Sequence, residues 1–130
     1  MSKTYEYDLQ VKNKHLDDLD HVNNVQYLQW VQDIAILHWK TLIEKETSSY
    51  GIWVVRRHEI DYKRPAKLDE WLTIKTYVSL TKDFISHRIV NIYFKETMSL
   101  VVQCKTQWIY LNAKTMKLET IPKRIIQLFN

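Results

Sequence analysis

Glycine, proline and cysteine are scarce in this sequence. Its 130 residues include one glycine, two prolines and one cysteine. Glycine-rich phosphate-binding loops need several glycines at fixed spacing, so Gly51 alone excludes a dinucleotide-binding fingerprint and a P-loop. The single Cys104 excludes an internal disulfide and any zinc site built from several cysteines, and it fits a reducing compartment.

Long apolar runs are also missing. The first eight residues, Met-Ser-Lys-Thr-Tyr-Glu-Tyr-Asp, lack the apolar stretch of a signal peptide, and no run approaches the ~20 apolar residues of a membrane helix. Hydrophobic residues nevertheless make up 45% of the chain and charged residues 26%, a balance typical of globular domains. The sequence therefore predicts a single domain over residues 1–130, cytoplasmic and without a membrane partner.

The charge is mildly basic. The formal net charge is +4 and the isoelectric point is about 9.1, with 19 Lys and Arg interleaved with 15 Asp and Glu. Such a protein can attract nucleic acid, or an anionic small molecule such as a nucleotide-bearing thioester. Charge alone leaves both partners open.

The spacing of apolar residues predicts one long helix among several strands. Period-two alternation indicates strands, a three- and four-residue spacing indicates a helix after the polar loop 14–24, and Pro122 fits the start of a short closing helix. Asn23 or Asn24 is the natural N-cap of the long helix. The predicted strands span 4–13, 52–63, 71–80, 84–95 and 100–111, and the predicted helices span 25–45 and 123–129.

This order of elements predicts an α+β fold. The long helix is apolar over more than half of its circumference, so we expect it to be surrounded rather than laid on a surface. Hairpin-linked strands favour an antiparallel sheet. The sequence therefore predicts the hotdog architecture, in which a five- or six-stranded antiparallel sheet wraps one central helix. An edge strand that pairs with a second copy would cover its exposed edge.

The loop before the long helix concentrates chemical groups. Asp17, Asp18 and Asp20 all lie among the four residues directly before His21. A helix N-terminus offers unpaired N–H groups and a positive dipole end that stabilise an anionic oxygen, and a nearby carboxylate can act as a base or nucleophile. Acidic residues before a helix are more often simple caps, so the residues alone leave both interpretations open.

Four segments of the chain resemble one family. His-Leu-Asp-Asp-Leu-Asp-His-Val-Asn-Asn-Val-Gln-Tyr-Leu-Gln-Trp, residues 15–30, resembles the Asp-x-x-x-His-Val-Asn-Asn-x-x-Tyr signature of hotdog-fold thioesterases. Residues 56–66 resemble that family's strand ending in Tyr-x-x-Pro, and the likeness continues through residues 108–111 and 121–122. The relatives in question are the 4-hydroxybenzoyl-CoA, acyl-CoA and plant acyl-ACP thioesterases.

The resemblance implies an active site in the acidic loop. Asp17 matches the catalytic carboxylate, four residues before His21, and the backbone N–H of Asn24 matches the group that polarises the thioester carbonyl. His21, the third residue expected to be catalytic, and Asn23 line the same turn. Tyr27 is the tyrosine of the signature and is expected to bind substrate.

The chain departs from the family pattern in three respects. His15 stands where an earlier Asp is usual, and Asp20 stands where a Gly is usual before the histidine. Asp tolerates a left-handed backbone better than most residues, so we expect the turn to survive. Leu19 and Pro65 replace an Asn and a Glu of the plant enzymes, which favours a scheme with a single carboxylate, either nucleophile or general base.

The remaining candidates divide into core and surface residues. His38 is predicted to be a packed core histidine and Cys104 a small core residue. No histidine has partners at metal-ligand spacing, so no metal and no cofactor are expected. Lys82 and Arg88 are candidate contacts for the phosphates of CoA, although solvated surface charge is the more common role for such residues.

The resemblance implies an acyl-CoA thioesterase that hydrolyses the thioester to a carboxylic acid and free CoA, in a homodimer or homotetramer without a nucleic-acid partner. Acyl-ACP thioesterase and hydroxyacyl dehydratase are alternatives within the fold. A non-catalytic module that binds acyl groups or nucleic acid is an alternative of another class, permitted by the aromatic content and the basic isoelectric point.

Overall fold

The structure is a computed structural model that describes residues 2–46 and 49–130. It contains five strands, one long helix and a short C-terminal helix within those ranges. Their bounds are β1 Thr4–Gln10, α1 Asn24–Ile43, β2 Ile52–Tyr62, β3 Trp71–Lys82, β4 Ile85–Phe94, β5 Leu100–Leu111 and α2 Lys123–Leu128, with a 3₁₀ turn at Asn13–His15.

The five strands form one antiparallel sheet in the order β1-β3-β4-β5-β2. Strands β3, β4 and β5 follow one another as hairpins, whereas β1 and β2 occupy the two edges. Helix α1 connects the two edge strands and packs on one face of the sheet. This arrangement confirms the predicted α+β hotdog fold with one long helix.

Helix α1 buries one face rather than its whole circumference. Asn23 is its N-cap and accepts a hydrogen bond from the N–H of Val25 at 2.9 Å, which confirms the predicted start. The opposite face is open, and Ile36 and Leu37 remain 46% and 40% exposed. The expectation of a fully surrounded helix is therefore wrong for this chain, because the sheet covers only one side. The buried helix residues are Tyr27, Trp30, Val31, Ile34, Ala35 and His38.

The core has two parts along the helix. The first half of α1 packs with β1, β3, β4 and β5 around fully buried aliphatic residues such as Ile34 and Ile92. The second half adjoins an aromatic cluster in which Trp53 packs against Trp39 and Phe129. Burying each such large side chain stabilises the fold by about 1.5–3 kcal/mol.

The single glycine lies where a side chain has no room. The N–H of Gly51 donates to the hydroxyl of Tyr110 at 2.6 Å, just before β2. A Cβ at this position would collide with the carbonyl oxygen of Leu111 and with the Tyr110 ring. The close approach of the chain to β5, rather than a positive φ angle, therefore requires glycine here.

Several strand boundaries differ from the predicted ones. Strand β1 ends at Gln10 rather than at residue 13, because the N–H of Val11 turns to the carbonyl of Glu70. In β3 the pairing with β4 shifts between Val78 and Leu80, which interrupts the alternation. No helix in the described ranges is long and apolar enough to cross a membrane.

Candidate active site

The acidic loop closes on itself before α1. Leu16 and Val22 pair as an isolated antiparallel bridge, and the N–H of Asp17 donates to the carbonyl of His21 at 2.8 Å. The N–H of Asp20 donates to the carbonyl of Asp17 at 3.1 Å, and Asp20 has a φ angle of 59°. The prediction that Asp20 takes over the left-handed position of a glycine is confirmed.

The carboxylate of Asp17 is held in place by the loop backbone. Its Oδ1 atom accepts hydrogen bonds from the N–H of Leu19 at 2.9 Å and of His21 at 3.3 Å. No other hydrogen bond to this side chain occurs among the described residues, so Oδ2 remains available to a substrate or water. Asp17 thus combines a fixed orientation with a free oxygen.

The other two loop carboxylates are not fixed in this way. The side chains of Asp18 and Asp20 make no hydrogen bond within the described part of the chain, and Asp20 is exposed. Their geometry agrees with the expectation that they serve the turn rather than the chemistry.

The start of helix α1 lies directly after this loop. Asn24 is the first helical residue, and its N–H has no hydrogen-bond partner among residues 2–46 and 49–130. The first N–H groups of a helix carry the positive end of the dipole, so they can stabilise a developing oxyanion. Tyr62 at the end of β2 reaches the same turn, where its hydroxyl donates to the carbonyl of Asn24 at 3.4 Å.

Two further contacts anchor the loop. The N–H of Val22 donates to the carbonyl of Ala66 at 2.9 Å, next to an isolated bridge between His21 and Lys67. The carbonyl of His15 accepts the N–H of Asn23 at 2.9 Å, which ties the 3₁₀ turn to the helix cap. The loop is therefore braced from both sides.

His15 itself is a structural residue. Its Nδ1 accepts the N–H of Lys12 at 2.8 Å, and its ring packs edge-on against Trp30 at 5.0 Å. Burial, with Lys14 and Lys12 nearby, lowers its pKa, so the ring stays neutral at pH 7. The neutral His15 therefore stands where the resembled family has its earlier Asp. Asp17 is the carboxylate that this loop holds in a fixed orientation.

Tyr27 lies beneath the loop. The side chain is buried, and its hydroxyl has no hydrogen-bond partner among the described residues, although the backbone of Ala66 is close. Burial first, and the negative charges of Glu70 and Asp17 next, raise the pKa of Tyr27 to about 12. Its hydroxyl therefore keeps its proton at neutral pH.

The two predicted phosphate contacts lie far from this loop within one chain. The loop adjoins the Trp71 end of β3, and Lys82 is an exposed residue at the opposite end, about 35 Å away at the usual strand rise. A contact between Lys82 and CoA phosphates remains a prediction. Arg88 is not at the surface, because the alternation of β4 turns its side chain inward beside His38.

The structure therefore brings Asp17, His21, Asn23 and Asn24 together, with Tyr27 beneath them, and leaves Lys82 and Arg88 elsewhere. Tyr62 was missed as a neighbour of this site. It stands in the Tyr-x-x-Pro segment of the second family motif, which is the signal that could have pointed to it.

The residues predicted to lie in the core do so. His38 is 2% exposed and Cys104 is fully buried, where burial raises the pKa of the thiol. The Sγ atom of Cys104 lies 3.7 Å from Nδ1 of His58, and that nitrogen is 2.8 Å from the hydroxyl of Thr106. No cluster of three metal-ligating side chains exists in the described ranges.

Comparison with known proteins identifies a family match over almost the whole chain. Residues 2–129 match the model of the acyl-ACP thioesterase N-terminal domain. A comparison with curated protein sequences found no match.

Solved structures share the fold at low sequence identity. A probable thioesterase, YbaW, from Escherichia coli is 22% identical with a TM-score of 0.81, covering 95% of this chain and 94% of its own. An oleoyl thioesterase (putative) from Lactobacillus plantarum is 16% identical with a TM-score of 0.88, covering 98% of this chain and 51% of its own. The protein SAV2348 from Staphylococcus aureus, solved in complex with CoA, is 14% identical with a TM-score of 0.83. The match covers 98% of this chain and 82% of that protein's chain.

Proposed function

This chain belongs to the family of the acyl-ACP thioesterase N-terminal domain, and from that premise we propose that it hydrolyses acyl-CoA thioesters to a carboxylic acid and free CoA. The observation that carries the proposal is the position of one oriented carboxylate, Asp17, beside the open N-terminus of helix α1. Thioester hydrolysis needs both a basic or nucleophilic oxygen and a donor for the oxyanion.

In the proposed reaction the thioester carbonyl oxygen accepts a hydrogen bond from the N–H of Asn24. The free Oδ2 of Asp17 then either removes a proton from the attacking water or attacks the carbonyl itself to give a mixed anhydride. In the first route the proton taken up by Asp17 passes to the sulfur as the C–S bond breaks, and the carboxylic acid and the CoA thiol leave. In the second route the C–S bond breaks as the anhydride forms, and CoA leaves as the thiolate and takes a proton from solvent. A water molecule then hydrolyses the anhydride, which releases the carboxylic acid and regenerates Asp17. Solvent oxygen-18 appearing in Asp17 after a single turnover would support the covalent route.

His21, Asn23 and Tyr27 have supporting roles in this proposal. His21 and Asn23 shape the turn through their backbone bonds and line it where a substrate enters. The hydroxyl of Tyr27 stays protonated below pH about 12, so we propose that it acts as a hydrogen-bond donor towards the substrate and not as a base at neutral pH.

The thiol carrier has two candidates. CoA is the first, and a structural neighbour at 14% identity was solved with CoA. Acyl carrier protein is the second, because the matching family model is that of acyl-ACP thioesterases. Lys82 is too far from the acidic loop of its own chain to contact the phosphate of either carrier, so we propose that such a contact comes from the Lys82 of a second copy.

We also propose that the protein works as a homodimer or homotetramer in the cytoplasm. The edge strand β2 is eleven residues long, and Ile52 and Val54 on it are 37% and 39% exposed. Pairing this edge with a second copy would cover it. The lone buried thiol of Cys104 fits a reducing compartment.

A thiol-release assay tests the activity. The wild-type protein is offered short, long and aromatic acyl-CoAs, and the same acyl groups on acyl carrier protein. We expect release of thiol and free acid in equal amounts from at least one CoA ester. Exclusive hydrolysis of the acyl-ACP series would transfer the proposal to that carrier, and no release from any thioester would contradict it.

A further inference from the structure

A cavity lies away from the acidic loop. Its volume is about 280 Å³, and it opens between the second half of α1 and strands β2, β4 and β5. Aromatic side chains form its walls: Trp39, Trp53, Trp108 and Phe129. His38, beside this cavity, is fourteen residues from Asn24 along the helix, which corresponds to about 21 Å.

Arg88 supplies a buried positive charge to this cavity. Its side chain lines the cavity and is only 4% exposed. Burial lowers its pKa to about 10, so the guanidinium is still charged at pH 7. No Asp or Glu of the described residues forms an ion pair with it. A buried charge is normally paired, because leaving it unpaired in the interior is costly.

The neighbours of Arg88 use only part of its donor capacity. Its Nη1 atom donates to Nδ1 of His38 at 2.9 Å and to the hydroxyl of Thr76 at 3.1 Å. Burial first, and Arg88 and Lys3 next, lower the pKa of His38 to about 4, so this histidine is a neutral acceptor. The Nε and Nη2 atoms make no hydrogen bond among the described residues, which leaves three N–H groups for a ligand.

Other groups around the cavity are also donors. The indole N–H groups of Trp53 and Trp108 are buried without a partner among the described residues. The hydroxyl of Ser86 lines the same cavity, and Lys40 lies exposed at its rim. A site rich in donors and positive charge but without a carboxylate favours an anionic acceptor.

We propose that this cavity binds a monocarboxylate with an apolar body, its carboxylate on the guanidinium of Arg88 and its body against the tryptophans. The planar guanidinium matches a carboxylate in a bidentate pair, and the aromatic walls suit a hydrocarbon chain or ring. The cavity is roughly twice the size of the ~150 Å³ cavity that accommodates benzene, so it has room for a medium-chain or aromatic acid.

The proposal does not depend on the proposed hydrolysis. A free acid, which includes the product of that reaction, and the distal carboxylate of a longer acyl group present the same chemistry to Arg88. The two sources differ in what they do to turnover, whereas the binding itself is measurable without any turnover.

Binding is tested with octanoate and its uncharged analogue octanamide, followed by calorimetry and by the fluorescence of the cavity tryptophans. We expect wild type to bind octanoate at least about tenfold more tightly than octanamide, because only the carboxylate forms a charged bidentate pair. Arg88→Met should weaken octanoate binding at least about tenfold and leave octanamide binding unchanged. Arg56→Met, which removes an exposed arginine of β2, is the matched control and should bind as wild type does.

Equal affinity of wild type for octanoate and octanamide, or no binding of either, overturns the proposal even if Arg88→Met does not fold. Octanoate binding that survives in folded Arg88→Met also overturns it. Kinetics then distinguish the two sources of the carboxylate. If the ligand is a free acid, added octanoate lowers the turnover of octanoyl-CoA by wild type and by Arg56→Met but not by Arg88→Met. A distal carboxylate instead makes the CoA ester of a dioic acid long enough to span from Asn24 to Arg88, such as hexadecanedioic acid, the preferred substrate of wild type but not of Arg88→Met.

Discussion

We expect the buried pair of His38 and Arg88 to make the stability of this protein sensitive to acid. Burial, with Arg88 and Lys3 nearby, lowers the pKa of His38 from 6.5 to about 4. The unfolded chain therefore binds a proton more readily than the folded one. The contribution of His38 to stability is fully present above pH 6.5 and is lost as the pH falls towards 4.

The expected loss in the free energy of unfolding follows from the two pKa values of His38, 6.5 in the unfolded chain and about 4 in the folded one. Linkage gives a loss of about 2 kcal/mol at pH 5 and about 3 kcal/mol at pH 4, relative to pH 7.5. His38→Gln removes the titrating ring but keeps an oxygen that can accept from Arg88. Buried His15 and half-buried His58 are present in both proteins, so the difference between the two proteins isolates His38.

The assay is urea unfolding followed by tryptophan fluorescence at pH 7.5, 5 and 4. We expect the free energy of unfolding of wild type to fall by about 3 kcal/mol more than that of His38→Gln between the first and last pH. Parallel curves, with a difference that stays constant within about 0.5 kcal/mol, would refute the buried neutral state of His38.

Two other substitutions test the fold and the loop. Gly51→Ala should lower the free energy of unfolding by about 1–3 kcal/mol in denaturant titrations, since its Cβ meets the backbone of Leu111, which cannot give way as a side chain would. An unchanged midpoint would contradict the close approach. Asp17→Ala removes the acceptor of two loop N–H groups and should cost about 2 kcal/mol, whereas Asp17→Asn keeps that acceptor and should cost less than about 1 kcal/mol. Equal stability of these two variants would show that the loop does not need the side chain.

The elements and the site loop were largely predictable because their signals are local. Alternation of apolar and polar residues located the strands, and Asn23 marked the start of helix α1. Asp20 stands where the family pattern has a glycine, and it has the left-handed backbone expected there. Each of these features depends on residues within a few positions of one another, so a single sequence contains the information.

The environment of Arg88 was not predicted, because it depends on contacts distant in sequence. His38 is fifty residues away from Arg88 and Thr76 is twelve. A local signal did exist, since Arg88 has the same parity in β4 as the buried Val90 and Ile92. The general rule that arginine lies at the surface outweighed it.

The exposure of one face of α1 was also not predicted. Composition indicated a helix that is apolar on most of its surface, but only the sheet order shows that one layer covers one side. The 3₁₀ turn at Asn13–His15 also escaped the pattern, because a three-residue turn has no periodicity to read.

Thiol release by Asp17→Asn on the best wild-type substrate tests directly whether Asp17 is the catalytic carboxylate. The amide keeps the loop hydrogen bonds but removes the charge and basicity, so hydrolysis should fall at least about a hundredfold while the melting temperature stays close to that of wild type. Asp18→Asn and Asp20→Asn are matched controls and should retain most activity. Near-normal turnover by a stable Asp17→Asn protein would contradict the assignment of Asp17 as the catalytic carboxylate.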